Sequence, residues 1–460
     1  DELGRTKTID DDAGRTEWIY DVGVNAIGRL SESISPETPE APLRQHLIYN
    51  YEPPESGNNR GSLKRLEYVI DSTPYPVEFT YDDLGRTKTI SYPDLGSGPP
   101  IVARYSYNAA GFLTTIEEVG SGIPKPIWLI NGAFQGQLVR QETFGNDLIS
   151  NYSYDPYRYF VETIDTHDGV GFVQDLLYSH YDNGQVDQQI RNGTDVRAHF
   201  YDALKRPSVT REATVPAAPG PTTLYDYDAL GNLIQRGETS LTYLPTKPQR
   251  LDTVGNNNYH YDDNGNVERR AGPNIPGNVQ TFSYTPFDLP RTIVSGQTGF
   301  TKTTLFEYSA SGRRLVRRDT GQGVDQTRHF VTHMYQRLVD NAIGATTEEI
   351  FRFHAGNREV AQIVRRNGDD TTLYFHADLL GSVATITTDD GQVFRQKFDP
   401  FGTEVEVPAN EATRVGFTGH QHDRDLGLID MRGRVYDSLA ARFMTPDPFM
   451  QAPFWSQGVN

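Results

Sequence analysis

The sequence contains no cysteine. Without thiols, disulfide frameworks, thiolate zinc sites and cysteine nucleophiles are all excluded. The sequence also lacks any apolar run near the roughly twenty residues that a membrane-spanning helix requires, so we expect no membrane span. The missing disulfides lean only weakly towards a cytosolic protein, because a large exported β protein does not need them.

Positive charge is the scarcer sign. The chain has 43 Lys and Arg against 61 Asp and Glu, a formal net charge of −18. Proteins that bind nucleic acid carry basic faces, so we expect no nucleic-acid partner. An anionic membrane surface would repel such a chain. The same negative charge would attract a basic polypeptide to the chain at long range.

The composition predicts an all-β protein. Hydrophobic residues make up 36% of the chain, which is lean for one large compact core, yet 26 Tyr and 22 Phe are too many for disorder. Aromatic and β-branched residues alternate with frequent Gly, Pro, Asn and Asp, a pattern typical of strands joined by tight turns.

An internal repeat organises the chain. The phrase DELGRTKTI at residues 1–9 returns at residues 82–90 with a single change. Related Tyr-Asp-Gly phrases begin at Tyr81, Tyr107, Tyr154, Tyr181, Tyr201, Tyr227, Tyr261, Tyr284 and Tyr308. The spacing is about two dozen residues with insertions, so the phrase is a structural unit rather than a local site.

Each unit predicts one β-hairpin. Tyr ends a strand, Asp starts the turn through its side-chain oxygens, and Gly supplies the positive φ of a tight reversal. Hairpins that stack side by side satisfy their edges and form one long antiparallel sheet, with Tyr rings packing between neighbouring strands. The motif residues we single out are Tyr81, Asp82, Gly85, Tyr227, Asp228, Gly231, Tyr261, Asp262 and Gly265.

Two C-terminal stretches carry further motifs, at residues 374–404 and 417–449. The first contains a His-x-Asp-x-Leu-Gly-Ser phrase and Asp-Pro-Phe-Gly, and the second contains Gly-Leu, Arg-Gly-Arg-Val-Tyr-Asp and Pro-Asp-Pro. The motif residues in these stretches are His376, Asp378, Gly381, Asp399, Gly402, Gly427, Arg432, Arg434, Tyr436 and Pro446.

Repeats and C-terminal motifs together resemble the Rhs/YD-repeat family, which includes bacterial Rhs polymorphic toxins, the B and C components of insecticidal Tc toxins, and teneurins. Ser438 and Ala441 depart from the family pattern, which usually has Pro and Gly there. The resemblance implies a β-shell, a ribbon of hairpins wound in a spiral around a cavity, over residues 1–373. It implies a Rhs repeat-associated core over residues 374–460.

The resemblance also implies a function. In bacterial members the shell encapsulates a C-terminal toxic polypeptide for delivery. The expected partners are therefore the chain's own C-terminal cargo and N-terminal shell or plug domains that this sequence lacks, and the expected location is secreted. In several members the core resembles an aspartic autoprotease that cuts after a DPxGL motif. No such motif follows Asp447, so we expect the cleavage point and the cargo to lie outside this chain.

The chemistry of individual residues leaves alternatives open. Asp437 and Asp447, with Arg442 to bias their charge, are candidates for a carboxyl pair that shares one proton, but each Asp can equally start a turn. His376, His420 and His422 lie close to Asp residues in the sequence, and the last two could face one ion, although core hydrogen bonding is the simpler role. The stretch 262–268 does not fit a calcium loop. We expect no cofactor and no metal.

A second function class is an extracellular recognition or adhesion module that binds carbohydrate or a cell-surface receptor. Exposed Tyr side chains of the repeats could stack on sugar rings, although ladder packing would use every copy. The third possibility is that the core acts as an autoprotease in a longer parent protein.

Overall fold

The computed structural model describes residues 1–12, 14–37, 44–53, 61–134, 138–215, 218–297, 299–408 and 413–447. Within these ranges the chain forms strands, turns and two short 3₁₀ turns, at Phe417–Gly419 and Arg424–Leu426. The described ranges hold no helix long or apolar enough to cross a membrane.

Thirty-four strands belong to one sheet. The first half comprises β1 (Thr8–Asp11), β2 (Gly14–Tyr20), β3 (Leu30–Ile34), β4 (His46–Tyr51), β5 (Leu63–Ile70), β6 (Thr73–Tyr81), β7 (Thr87–Ser91), β8 (Val102–Tyr107), β9 (Leu113–Glu118), β10 (Lys125–Phe134), β11 (Leu138–Phe144), β12 (Ile149–Tyr154), β13 (Val161–His167), β14 (Phe172–His180), β15 (Val186–Arg191), β16 (Asp195–Tyr201) and β17 (Pro207–Thr214). The second half comprises β18 (Ala218–Tyr227), β19 (Leu233–Arg236), β20 (Thr239–Leu244), β21 (Lys247–Val254), β22 (Asn257–Tyr261), β23 (Val267–Ala271), β24 (Val279–Tyr284), β25 (Pro290–Gln297), β26 (Phe300–Tyr308), β27 (Arg314–Gly321), β28 (Val324–Val331), β29 (Tyr335–Asp340), β30 (Ala345–Ala355), β31 (Arg358–Arg366), β32 (Asp369–Ala377), β33 (Val383–Thr388) and β34 (Val393–Arg395).

Six short strands follow. They form a pair and a four-stranded sheet: β35 (Lys397–Phe398), β36 (Glu404–Glu406), β37 (Gln421–Asp423), β38 (Leu428–Asp430), β39 (Val435–Asp437) and β40 (Arg442–Phe443).

The large sheet is a continuous meander. Each strand from β1 to β34 pairs antiparallel with its neighbours in the chain, from Thr8 opposite Glu17 to Thr387 opposite Val393. We call these 34 strands the ribbon. The predicted fold class, an all-β ribbon of stacked antiparallel hairpins, is therefore confirmed. The proposed division between residues 373 and 374 falls inside β32, and the separate small sheets begin at Lys397.

All the repeat turns lie on one edge of the ribbon. In a meander the turns alternate between two edges, and each repeat turn connects an even-numbered strand to the following odd-numbered one, as at Asp82 between β6 and β7. At this edge the strand pairing shifts by one residue just before the repeat Tyr, between Thr80 and Tyr81 and again between Asp226 and Tyr227. The bulge re-aims the end of the strand, which orients the Tyr and the turn.

The ribbon coils back onto itself. One hydrophobic core joins strands β4 to β11 with strands β27 to β32, and it includes Tyr75, Phe351 and Tyr374. Tyr75 OH is hydrogen-bonded at 2.5 Å to Nδ1 of His329, which lies 254 residues later in the chain. Tyr92 OH donates to the carbonyl oxygen of Arg352 at 2.5 Å, across 260 residues. We call the turn of the ribbon that contains β4 to β11 the first coil and the one that contains β27 to β32 the second coil. The first coil packs on the second through the edge opposite to its own repeat turns.

A second core attaches the C-terminal segment, by which we mean residues 397–408 and 413–447. Leu426, Leu428, Val435 and Met444 of this segment pack with buried side chains of strands β18 to β26. The segment thus lies on one face of the ribbon.

Candidate functional site

Asp82 organises the turn of the repeat that opens at Tyr81. Its Oδ1 accepts backbone N–H bonds from Leu84 at 3.0 Å and from Arg86 at 2.9 Å, and its Oδ2 accepts Nε of Arg86 at 2.6 Å. The Gly85 N–H donates to the Asp82 carbonyl at 3.0 Å, and Gly85 has a φ of 78°. Asp82 therefore starts this turn through its side-chain oxygens, and Gly85 supplies its positive φ.

The same turn recurs with Asn in place of Arg. Asp228 accepts the N–H of Leu230 at 2.9 Å and that of Asn232 at 2.8 Å, and the Asn232 side chain donates to its other oxygen at 2.7 Å. Asp262 accepts the N–H of Asn266 at 2.8 Å. Gly231 and Gly265 have φ values of 91° and 96°. The stretch 262–268 is thus one more repeat turn.

The hydroxyl of most repeat Tyr residues bonds a hairpin to the preceding one, whereas Tyr181 OH donates to the carbonyl oxygen of His199 in the following hairpin at 3.1 Å. Tyr81 OH donates to the carbonyl oxygen of Leu63 at 2.6 Å, and Tyr227 OH to that of Pro207 at 2.9 Å. Leu63 and Pro207 are the first residues of strands β5 and β17. Equivalent bonds are made by Tyr51, Tyr107, Tyr201, Tyr243, Tyr284 and Tyr308.

The repeat Arg joins one turn to the next. Arg86, already bonded to its own Asp, lies over the ring of Tyr107 with 4.6 Å between guanidinium carbon and ring centroid. Arg206 lies 4.1 Å over the ring of Tyr227. Direct Tyr–Tyr packing, which the sequence predicted, occurs between Tyr181 and Tyr201 at 6.0 Å. Cation–π contacts and hydroxyl bonds therefore supplement the ring packing that was expected.

Asp437 is the centre of a buried network at the seam between the C-terminal segment and the ribbon. Its Oδ2 accepts Nη1 of Arg270 at 2.5 Å and the hydroxyl of Tyr259 at 3.0 Å. Both side chains of the Arg270–Asp437 pair are 1% exposed. Burial, and then the charge of Asp437, raises the pKa of Tyr259 far above its usual range. Because Arg270 also donates to the Leu426 carbonyl at 2.5 Å, it clamps two parts of the segment to β23.

The other two predicted catalytic residues have different surroundings. Asp447 pairs with Nη2 of Arg434 at 2.9 Å and keeps 47% of its side chain exposed. Arg442 donates to the carbonyl oxygen of Gln249 at 2.9 Å and to Oδ1 of Asn232 at 2.7 Å. Asp437, Asp447 and Arg442 are thus each engaged with a separate set of neighbours.

A second ion cluster holds the segment further along the seam. Arg314 and Arg317 of β27 bind the two carboxylate oxygens of Asp423 at 2.8 and 2.9 Å, and Arg317 also binds Asp425. Burial lowers the pKa of both arginines, but the charge of Asp423 outweighs it and raises them above the usual range. Sequence reasoning missed this cluster, since its members lie more than a hundred residues apart.

His376 and Asp378 lie where β32 meets its turn. His376 is buried, its Nε2 is 2.8 Å from the Thr387 hydroxyl, and burial lowers its pKa to about 3. Asp378 starts a repeat-type turn, accepting the N–H of Ser382 at 2.8 Å, and Gly381 has a φ of 80°. Burial of the carboxyl raises the pKa of Asp378 to about 6. These contacts are those of a structural turn.

The remaining core-motif residues also shape turns or pack. Asp399 accepts the N–H of Thr403 at 2.9 Å, and a Cβ on Gly402 would lie 2.6 Å from the Phe417 ring. Gly427 ends a 3₁₀ turn in the left-handed conformation. The others are Arg432 at a φ of 69°, Arg434 over the Phe443 ring, Tyr436 bonded to the Phe401 carbonyl, and Pro446 against Gly265.

His420 and His422 bind separate protein partners rather than facing one ion. His420 Nδ1 is 2.9 Å from the Thr418 hydroxyl, whereas His422 Nε2 accepts the N–H of Phe417 at 3.0 Å. In the described ranges no three His, Asp or Glu side chains converge as metal ligands.

A cleft of about 420 Å³ lies between strands β14 to β17 and the turn at Asp378. Its walls include Tyr178, Tyr201 and Phe398, and its polar groups include His199. Burial lowers the pKa of His199 to about 4. At neutral pH the cleft therefore holds a neutral imidazole and the ionised carboxylate of Asp378, which stays in contact with solvent through the cleft.

Comparison with known proteins gives consistent results. The family model described as Teneurin YD-shell matches residues 214–457. Teneurin-3 of Mus musculus is 24% identical over 447 residues, which covers 84% of this chain. Teneurin-4 of Mus musculus is 22% identical over 466 residues, or 88% of the chain. The chain spans 15% of the length of each of these two relatives.

Solved structures share the fold. The crystal structure of TcdB2-TccC3 superposes with a TM-score of 0.73 and 18% identity, covering 97% of this chain and 26% of that one. The Photorhabdus luminescens Tc holotoxin pore gives a TM-score of 0.75 and 16% identity, covering 99% of this chain and 26% of that one. At these identities the likeness extends to the fold alone.

Proposed function

The chain belongs to the teneurin YD-shell family, and from that premise we propose that it forms a stretch of the wall of a hollow shell that encloses a polypeptide cargo. The observation that carries the proposal is the number of strands in one coil of the ribbon. Strand β6 meets strand β28, which is 22 strands further along the chain.

The size of the coil follows from strand spacing. Neighbouring strands lie about 4.8 Å apart, so 22 of them make a circuit of about 105 Å and a mean diameter of about 33 Å. Side chains on a sheet face occupy about 5 Å, half the usual spacing between packed sheets. A circular coil would therefore leave a space about 23 Å wide. Two sheets packed directly would be only about 10 Å apart.

This width limits the cargo. A folded domain of 100 residues has a radius of gyration of about 13 Å, so its diameter exceeds the space. An extended chain or a single helix, about 10–12 Å across, fits. We propose that the cargo is an unfolded or partly folded polypeptide, supplied by the same parent protein beyond this chain, and that the parent is an exported toxin of the Rhs or Tc type.

Cryo-electron microscopy of the 460-residue chain tests the wall. We expect a curved single-layer wall around a low-density centre about 20–25 Å across, following the strand count above. A filled globule, or sheets packed face to face throughout, would refute the shell.

A second candidate function is an extracellular recognition module, and the teneurin matches favour it. The two functions differ in where a following polypeptide lies. For a cargo shell, a basic polypeptide fused after residue 460 should resist protease until the shell is denatured. For a recognition module the fused polypeptide should be digested at once, and the chain should bind a glycan array or a receptor surface through exposed Tyr side chains.

We propose a structural role for Asp437 rather than a role in self-cleavage. Its contacts support this, because Arg270 and Tyr259 both donate to Oδ2 and the turn N–H of Leu439 donates to Oδ1 at 2.9 Å, so that both oxygens of the carboxylate are in use. An aspartic protease needs a carboxyl that is free to exchange its proton with a partner. The variants that test this role are developed in the Discussion.

A further inference from the structure

Basic and imidazole side chains from separate turns meet where the C-terminal segment crosses the repeat edge of the second coil. Arg313 lies in the turn before β27, His333 in the turn before β29, and His354 near the end of β30. Arg432 lies in the turn between β38 and β39, and Arg352 lies on β30 beneath them.

Direct contacts join the inner residues of this cluster, which we call its floor: His333, His354, Arg352 and Gln421. The rings of His333 and His354 pack edge to face with centroids 4.7 Å apart. Arg352 donates through Nη1 to Glu359 at 3.1 Å and through Nη2 to Oε1 of Gln421 at 3.4 Å. His354 Nε2 lies 4.0 Å from the same Glu359 carboxylate.

The floor contains unused hydrogen-bonding capacity. Arg352 Nε, His354 Nδ1 and Gln421 Nε2 are buried atoms without a partner among the described residues. The Arg352 side chain is only 9% exposed. A buried donor without an acceptor lowers the stability of the folded state by about 1–3 kcal/mol. A ligand that accepts hydrogen bonds from these atoms would therefore bind favourably here.

The outer residues of the cluster, Arg313 and Arg432, carry positive charge that no partner within the described ranges neutralises. Arg313 and Arg432 are exposed, and neither guanidinium makes an ion pair or a hydrogen bond with the described part of the chain. Both lie close enough to act on His333, whose pKa is lowered to about 4 by partial burial and by the charges of Arg432, Arg313 and Arg352. Burial, His333 and the same two arginines Arg352 and Arg432 lower the pKa of His354 to about 3.

Few acids balance these charges. Glu359 is already bonded to Arg352, and Asp430 accepts the N–H of Arg432 at 2.9 Å and lies 3.4 Å from Arg314. The cluster therefore carries excess positive charge at neutral pH together with unpaired donors, which is the chemistry of an anion site.

We propose that this cluster binds a tetrahedral oxyanion carried as a phosphate or sulfate ester. The two free guanidinium groups would grip the outer oxygens, since the planar fork of Arg matches such groups. The buried Nε–H of Arg352 would donate to the innermost oxygen. The bound anion would join the turns of β26–β30 to the C-terminal segment, so it would stabilise the seam.

Calorimetric titration at fixed ionic strength tests the proposal. Inorganic phosphate and inorganic sulfate are the first probes, and phosphoserine and glucose 6-sulfate then distinguish the two esters. We expect saturable one-to-one binding with a Kd below about 10 mM. Arg313→Gln and Arg432→Gln should each weaken binding at least about tenfold, the loss expected for one charge-assisted hydrogen bond. Both positions are exposed, so the variants should fold like the native chain.

Lys88→Gln is the matched control, because Lys88 is an exposed cation on β7 of the first coil. It removes the same charge without touching the cluster and should leave the Kd unchanged. An Arg432→Lys variant should fall between Arg432→Gln and the native chain, since it keeps the charge but loses the fork. The proposal is overturned if the native chain shows no saturable binding, or if Lys88→Gln weakens binding as much as the arginine variants do.

Discussion

Replacing Asp437 by Asn should loosen the C-terminal segment from the ribbon. Asn keeps the shape of the side chain and an oxygen for the turn N–H of Leu439, but it removes the negative charge that Arg270 faces at 2.5 Å. Both side chains are 1% exposed, so the remaining guanidinium charge has little access to water. Breaking a buried ion pair by removing one partner costs about 3–5 kcal/mol, and we expect a loss of that size in local stability.

The reverse substitution makes the test sharper. Arg270→Met leaves the Asp437 carboxylate uncompensated and also removes the bond to the Leu426 carbonyl. We expect a cost of about 3–5 kcal/mol here as well. If the two side chains act mainly on each other, the double variant should cost less than the sum of the two by about 2 kcal/mol, within the range measured for coupled pairs.

Hydrogen exchange followed by mass spectrometry is the appropriate assay, because it reports the free energy of local opening in peptides from residues 421–447. The matched control is Asp447→Asn, which breaks a pair with Arg434 in which Asp447 is 47% exposed. It should cost less than about 1 kcal/mol.

Native protection in Asp437→Asn would refute this reasoning. If the same variant also abolished self-cleavage in the longer parent protein, Asp437 would be catalytic. Lost protection together with retained self-cleavage would support the structural role alone.

Three further predictions concern the ribbon. Tyr81→Phe removes one hydroxyl bond and should lower the free energy of unfolding in urea by about 1 kcal/mol, whereas Tyr157→Phe, at an 89% exposed ring, should have no effect. Gly85→Ala forces a side chain into a φ of 78° and should cost about 1–2 kcal/mol, while Gly171→Ala, where a Cβ meets no atom within 4 Å, should change urea stability little. The folded state binds a proton at Asp378 with a pKa of about 6 against 3.8 for the unfolded chain, so acidification from pH 7 to pH 5 favours folding there, by at most about 1.4 kcal/mol per pH unit. Asp378→Asn should therefore be more stable than the native chain at pH 7 in the same urea assay, and this gain should shrink at pH 5; a gain that grew on acidification would contradict the sign.

The hairpins were predictable because each repeat carries its own instructions. Asp82, Gly85 and Arg86 form every bond of their turn within five residues, so the local pattern suffices. The continuous sheet followed, since hairpins with free edges must pair. The contacts between coils were not predictable in this way. Tyr75 and His329 are separated by 254 residues, and neither lies in a motif.

The seam was less accessible still. Asp437 was singled out from the sequence, but its partner Arg270 lies 167 residues earlier. Arg270 stands at a repeat position that other copies fill with different residues, so the motif does not point to it. The arginine and histidine cluster was not predictable as a unit, although Arg432 is a motif residue, because Arg313, His333 and Arg432 come from three unrelated turns. Such sites depend on which coil lies over which strand, and that is set by the curvature of the whole ribbon.

The uneven spacing of the repeat nevertheless carries information about the coil. The repeat turns at Asp82, Asp202, Asp228 and Asp262 keep their Asp, but β28 and β30 end in the buried Val331 and the half-buried Ala355 where a repeat would place Tyr, and these strands lie under the first coil. An ionised Asp in a covered edge would lose water without gaining a partner. Asp378 shows the cost, because it keeps the Asp turn in this stretch and its pKa is raised to about 6. The repeat signature therefore persists where the edge meets solvent and fades where the ribbon covers itself.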